Sequence, residues 1–299
     1  MRVIFAITAA VLLFVLPMPV AGWGMDVHRF LTGRALDGMP AELRTFFAPR
    51  RDFVIEHSVD PDLWRVVGLT GERGDEPPNH YLDIDGLDEP PPFRNVPREW
   101  DAYVARYGAE RANRMGRLPW RVAEVHALLV RAFRDIGTGR APYAADNARY
   151  LTAVLAHYIE DAHVPFHAVL NHDGQLTGQR GIHSRFETEL VLRNLRSWKI
   201  APAHVRPIDN IRDDVFDRLV EGHALVDGIL AADRRASAGR ELFDDPYYRD
   251  FLAGVRPVVE RRLSEAVSSL VSAVHAAWVE AGKPDLSRPR TARASTDRR

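Results

Sequence analysis

The sequence predicts an all-α protein folded as a single compact multi-helix domain, and three observations carry that reading. Apolar residues recur at the helical period of about 3.6 residues over long stretches. Leu118, Val122, Val125, Leu129 and Phe133 form one such series, and Val258, Leu263, Val267, Leu270, Val274 and Trp278 another. No run of alternating β-branched residues is long enough to build a sheet. From Trp23 to Ala281 there is no internal repeat, low-complexity segment or break in composition that would separate two domains. With 299 residues, 46% of them hydrophobic, the chain can bury one large core.

The chain opens with Arg2 and the apolar run VIFAITAAVLLFVLPM, followed by the small residues Val20, Ala21 and Gly22. This is the pattern of a signal peptide over residues 1–22, too short and too broken by Pro17 and Pro19 for a membrane anchor. Cleavage after Gly22 would place the protein in the periplasm or outside the cell and make Trp23 the new N-terminus. No transmembrane segment is expected in the mature chain.

The next elements are shorter. Val27, Phe30, Leu31 and Ala35 mark a helix over Asp26–Leu36, with His28 beside its apolar stripe. Pro40 opens a second helix to Phe47. In Val54–Arg65, the residues Asp60, Pro61 and Asp62 interrupt an apolar pattern as an N-cap or loop would. A polar loop, Gly68–Pro78, leads to NHYLDID (79–85), whose alternation suggests a short extended segment and whose His80, Asp83 and Asp85 are ligand candidates. The proline-rich connector Pro90–Pro97 excludes regular helix. Helices are then expected over Glu99–Arg114, Pro119–Ile136, Ala144–Val164, His183–Leu195, Asp213–Ala232 and Phe251–Ala281, with a basic, disordered tail over residues 282–299.

Composition removes several functions. Without cysteine there can be no disulfide or thiolate metal site, so a metal must bind through nitrogen and oxygen. The formal net charge is −1, and the tail holds six basic residues against two acidic ones. With the leader and the tail both set aside, the body carries 33 basic and 39 acidic residues, which indicates no globally basic nucleic-acid surface. HExxH, GxSxG and a phosphate-binding glycine loop are absent.

Chemistry concentrates in residues 156–187, AHYIEDAHVPFHAVLNHDGQLTGQRGIHSRFE. His157 and Asp161, His163 and His167, and His183 and Glu187 are each spaced i,i+4, which on one helix places both side chains on one face and within reach of one ion. Pro165 must end or kink the first helix and free His167 to point elsewhere. Two His/carboxylate pairs with a further histidine exceed the needs of one tetrahedral zinc, so at least two metals are expected. Imidazole with carboxylate favours zinc.

WGMDVH, HSVDPD, NHYLDID, AHYIEDAHVPFH and GIHSRFE, in that order, resemble the superfamily of bacterial zinc-dependent phospholipases C and fungal-type single-strand-specific nucleases. The resemblance covers residues 23–281 and implies an all-helical domain with a trinuclear zinc cleft. Carried over residue by residue, the amine and carbonyl of Trp23 with His28 would hold one zinc, bridged by Asp161 to a second that also takes Asp62, His80 and His157. His167, His183 and Glu187 would hold the third. Asp62 rather than Asp60 is the implied ligand because it precedes Arg65 by three, as in several members. Asp62 would also accept the proton of a water attacking a phosphodiester, and His163 would orient a ligand through its other ring nitrogen. Glu160, His57, His126, His172, His204, His223 and His275 match no ligand position and read as surface or ordinary core residues.

For the substrate, glutamate at position 187, four residues after His183, is the phospholipase-like choice, as is the absence of cysteine. The five-residue interval from Trp23 to His28 is nuclease-like. A phospholipase C-type hydrolase, in transient contact with a membrane surface, is therefore the leading expectation and a nuclease the alternative. A protein in which zinc only staples helices is the third.

Overall fold

The computed structural model describes residues 24–67, 76–139 and 141–287. Residues 1–22, expected as a leader, with Trp23 and residues 288–299 lie outside the described residues. Among the described residues, thirteen α-helical segments follow one another: α1 (Met25–Gly38), α2 (Ala41–Phe47), α3 (Arg51–His57), α4 (Asp60–Val66), α5 (Trp100–Tyr107), α6 (Ala109–Met115), α7 (Leu118–Thr138), α8 (Ala144–Asp161), α9 (Ile182–Ser184), α10 (Leu190–Arg193), α11 (Ile211–His223), α12 (Val226–Ser237) and α13 (Asp245–Glu280). The expected all-α class is what the structure shows. Among the described residues the only β feature is an isolated bridge between Leu82 and Gly116.

The apolar series seen in the sequence forms the core. Leu118, Val122, Val125, Leu129 and Phe133 of α7 are all buried and pack along α8, while α13 lays Leu263, Val267, Leu270 and Val274 against α7, α8 and α1. α8 is enclosed on every side, so that each residue from Thr152 to Asp161 is buried. Its polar residues must therefore find partners inside the protein.

Several boundaries differ from the sequence expectation, each for a local reason. The helix expected over Glu99–Arg114 is two helices, because Gly108 adopts φ +77°, a left-handed conformation that interrupts the helix at little cost only for glycine. The helix expected to reach Val164 ends at Asp161, because Val164 precedes Pro165 and takes an extended conformation (ψ 117°). The single helix expected over Asp213–Ala232 breaks at Ala224–Leu225, where no proline or glycine signals the break. His183–Leu195 is interrupted by a π-helical turn, Arg185–Glu189. The tail is ordered further than expected. Trp278 Nε1 donates to Pro284 O at 3.1 Å and Leu286 is buried, so residues 282–287 fold back on α13.

Two devices away from the core position the histidine-rich segments. Gly116 holds φ +106°, and a Cβ there would lie 2.0 Å from Tyr81 O, so only glycine lets 80–82 pass this close. The 80–82 backbone is pinned on its other side by Leu82 N donating to His167 O at 2.9 Å. Arg262 of α13, fully buried, donates from Nε to His163 O (2.9 Å) and from Nη2 to Ala162 O (3.2 Å) and Arg218 O (3.0 Å). It thereby satisfies the carbonyls left open where α8 stops. Burial lowers its pKa to about 10, so the guanidinium remains charged at neutral pH.

Replacing Arg262 with methionine should lower unfolding stability by about 3–5 kcal/mol, because buried carbonyls lose their donor. Urea denaturation of the metal-free protein measures this, and a loss under about 1 kcal/mol would show that water substitutes for the guanidinium.

Candidate metal centre

The site is assembled around the last turn of α8. His157 and Asp161, one helical turn apart, point to the same side and are fully buried. From α1, His28 stacks on His157 with ring centroids 4.1 Å apart. Asp62 arrives on the first turn of α4 and His80 at the end of a 3-10 turn, Pro77–His80. After Pro165 redirects the chain, the 3-10 turn Pro165–Ala168 presents His167, and α9 with its π-helical continuation presents His183 and Glu187. These eight residues, separated by up to 159 positions, are all buried.

Their ligating atoms fall into three groups, within each of which the atoms lie no more than 4.8 Å apart: His28, Asp62 and His157; His80, His157 and Asp161; and His167, His183 and Glu187. Asp161 faces two ways. Its Oδ2 lies 2.9 Å from His80 Nδ1 and 3.3 Å from His157 Nε2, and its Oδ1 lies 3.6 Å from both His28 Nε2 and His167 Nδ1. His183 Nε2 and Glu187 Oε2 are 2.8 Å apart. The third group has the membership expected for the third zinc, whereas the other two share His157 as well as adjoining at Asp161.

The donor set fits a cation. His28 Nε2, Asp161 Oδ1 and Glu187 Oε1 are buried without a hydrogen-bond partner, and His183 Nε2 and Glu187 Oε2, although 2.8 Å apart, are not aligned as a hydrogen bond. Such orphaned atoms cost free energy unless something else satisfies them. The nitrogens facing away from the groups are engaged: His157 Nδ1 donates to Ser58 O at 2.9 Å and His167 Nδ1 to His80 O at 2.7 Å. That fixes the rings with Nε2 inward, the arrangement of metal-binding histidines. These buried His, Asp and Glu groups could hold a metal ion.

Electrostatics point the same way. Burial lowers His167 to about 3 and His183 to about 4, so both rings are neutral at physiological pH. Burial, reinforced by the charges of Asp161 and Asp62, pushes Glu187 well above the usual carboxylate range, and burial likewise raises Asp62. Asp161 behaves oppositely: burial alone would raise it, but His157, His167 and His80 hold it well below its ordinary value. His80 is opposed by burial yet raised to about 9 by its hydrogen bonds to Asp161 and Glu76.

Not every expected residue joins the site. His163 donates from Nδ1 to Ile159 O at 2.8 Å, and its Nε2 accepts from the Ser269 hydroxyl at 3.1 Å. It fastens the end of α8 to α13 and touches no ligand side chain, so the expected orienting role does not hold. Asp60, set aside as a ligand, bonds His57 and Tyr150 instead, at 2.8 and 3.1 Å. Asp85 Oδ1 accepts from Leu170 N at 2.8 Å.

Three residues enter the site that the sequence did not single out for it. Glu160, which reads from the motif as ordinary, is fully buried and accepts from His28 Nδ1 at 2.7 Å. Its position seven after Ala153 and four after Ala156 was the available signal, since small residues on one face mark close helix packing. Glu76 accepts from the Tyr158 hydroxyl and lies 3.4 Å from His80 Nε2. Arg65 pairs with Asp62 at 3.0 Å. No protein-family model matches the chain, and no curated protein matches it.

Metal uptake should release protons at pH 7–8. His80, with its pKa raised to about 9, holds a proton there that an ion must displace, whereas His167 and His183 already offer lone pairs. Zinc affinity should therefore rise with pH up to about 9. Calorimetric titration in buffers of different ionisation enthalpy reads the proton count; zero release would contradict the assigned protonation. Substituting His157 with alanine should deplete more bound zinc than substituting His183, because His157 serves two groups; elemental analysis of the purified variants measures it.

Proposed function

We propose that this chain is a trinuclear zinc phosphodiesterase of the phospholipase C and single-strand-specific nuclease superfamily, hydrolysing phospholipid to diacylglycerol and a phosphorylated head group. The observation that carries the reading is the convergence of eight motif residues on three adjoining buried groups, with Asp161 directed into two of them. The five motifs contributed His28, Asp62, His80, the His157–Asp161–His167 series and the His183–Glu187 pair, and each contribution is at the centre.

Bound zinc would supply Lewis-acid chemistry, making water a nucleophile near neutral pH and drawing charge from the phosphate oxygens. The chain's own residues do the rest. Asp62, lifted by burial towards the range of a base that can take and give a proton, accepts the proton of the attacking water at a carboxylate oxygen. Arg65, 3.0 Å from Asp62 Oδ1, fixes that carboxylate and brings positive charge towards an anionic substrate. His157 and His167, anchored at Nδ1, hold their rings against displacement during turnover.

Lipid is preferred as substrate for two reasons. Glutamate at position 187 is the phospholipase-like choice, and α4, which carries Asp62, exposes Leu63 and Val66, with Val67 just past its end (43, 53 and 70% exposed). Those side chains give the helix an apolar edge suited to transient contact with a membrane surface. No described helix is long and apolar enough to cross one. The nuclease reading is favoured by the five-residue interval from Trp23 to His28. Export follows from the leader over residues 1–22, and its removal would free the Trp23 amine as a ligand.

The zinc-loaded protein should cleave phosphatidylcholine in preference to single-stranded DNA or RNA when the three are assayed side by side. Cleavage of none, with zinc content confirmed, would reject both enzymatic readings. Asp62→Asn should lower kcat by roughly 100-fold or more. A version retaining a methionine before Trp23 should bind one ion weakly and lose most activity; full activity would rule out the amine as a ligand.

A further inference from the structure

Glu160 stands next to Asp161 on α8, and the two carboxylates approach opposite nitrogens of His28 on α1. His28 and Thr32 are one turn apart on α1, and both reach it: His28 Nδ1 donates to Glu160 Oε2 at 2.7 Å and Thr32 Oγ1 donates to Oε1 at 2.9 Å. All three side chains are fully buried. With Nδ1 committed, His28 has only Nε2 left, and that atom has no hydrogen-bond partner and lies 3.6 Å from Asp161 Oδ1.

We propose that Glu160 is a positioning residue for the metal centre, one that takes the Nδ1 bond of His28 and so holds the ring with its Nε2 lone pair directed at the ion grouped with Asp62 and His157. The proposal rests on the metal reading of the preceding subsections. His157 and His167 direct Nδ1 to neutral backbone carbonyls, which orient a ring without adding charge. His80 turns its outer nitrogen to Glu76 at 3.4 Å, a longer contact than the one at His28. Among His28, His80, His157 and His167, only His28 therefore has a carboxylate within 2.7 Å of its outward nitrogen, the arrangement in which a hydrogen-bonded carboxylate raises the basicity of a metal-bound imidazole. The Thr32 hydroxyl is the part that makes this specific, because it prevents the carboxylate from rotating away.

A structural role alone, with Glu160 only tying α1 to α8, makes a different forecast. Glu160→Gln keeps the shape and leaves an oxygen able to accept from His28, but an amide holds the ring less strongly than a carboxylate. Zinc titration against a competing chelating dye should show one ion bound roughly 10–100-fold more weakly in Glu160→Gln. The ion at His167, His183 and Glu187 should keep its affinity, and the melting temperature of the metal-free protein should stay at the wild-type value. In a His28→Gln background the same change should cause no further loss at that ion, as residues acting through one another require. Thr32→Val, which frees Oε1, should weaken the same ion several-fold and serves if Glu160→Gln fails to fold.

Wild-type affinity in both Glu160→Gln and Thr32→Val would overturn the proposal and leave the metal reading standing. So would a loss confined to metal-free stability, or one spread equally over all ions. A wild-type protein that binds no zinc would overturn the proposal together with the metal reading.

Discussion

Asp161 cannot be where it is as an isolated ion. A carboxylate with no exposure to solvent costs several kcal/mol unless positive charge or hydrogen bonds compensate it, and here the compensation is a ring of imidazoles: His80, His157, His28 and His167 lie within 2.9–3.6 Å of its two oxygens. Every histidine in that ring comes from a different element or from the next turn of the chain. The long helices α1, α7, α8 and α13 therefore serve one electrostatic requirement, and the neighbouring Asp62 and Glu187, both pushed up by burial, leave it unfinished without a cation.

The surrounding layer explains why the ring does not collapse. Histidines free to rotate would pair with the carboxylates and remove the lone pairs from the site. Instead His157 and His167 are anchored at Nδ1 to backbone carbonyls, and His28 to Glu160. The carbonyl used by His167 belongs to His80, and Leu82 returns a bond to His167 O, so the two ligand-bearing turns hold each other. Gly116 allows the first turn to pass beneath the end of α6, and Arg262 closes the end of α8 from α13. The π-helical turn at Arg185–Glu189 carries Glu187, in keeping with the tendency of such turns to occur at functional sites.

Much of this was legible in the sequence because it depends on period and residue type. Apolar spacing identified α7 and α13, proline placed the break before His167, and the density of His and carboxylate within residues 156–187 marked the wall of the site. The errors share a cause. His163 obeys the same i,i+4 rule as the ligand pairs, yet Pro165 separates it from His167 and Ser269 of α13 claims its outer nitrogen. Glu160 follows no ligand pattern, yet α1 lies across it. At the break between α11 and α12 neither Ala224 nor Leu225 is a helix breaker, and the two segments pack on different neighbours, α11 on α7 and α12 on α13.

By itself, the sequence determined that the protein is helical, that any metal must be held by nitrogen and oxygen, and which side chains are chemically able to hold it. Those properties reside in single residues and their near neighbours, where helical geometry makes spacing equivalent to position. Only the tertiary structure decided which residues meet. His28, Asp62 and His80 have no partner ligand within their own segments, and their sites are completed by α8 more than 70 positions away. No local rule relates such positions, because the distance between them is set by helix packing and by buried bonds such as His28–Glu160 and Arg262–His163 that form only when the core closes.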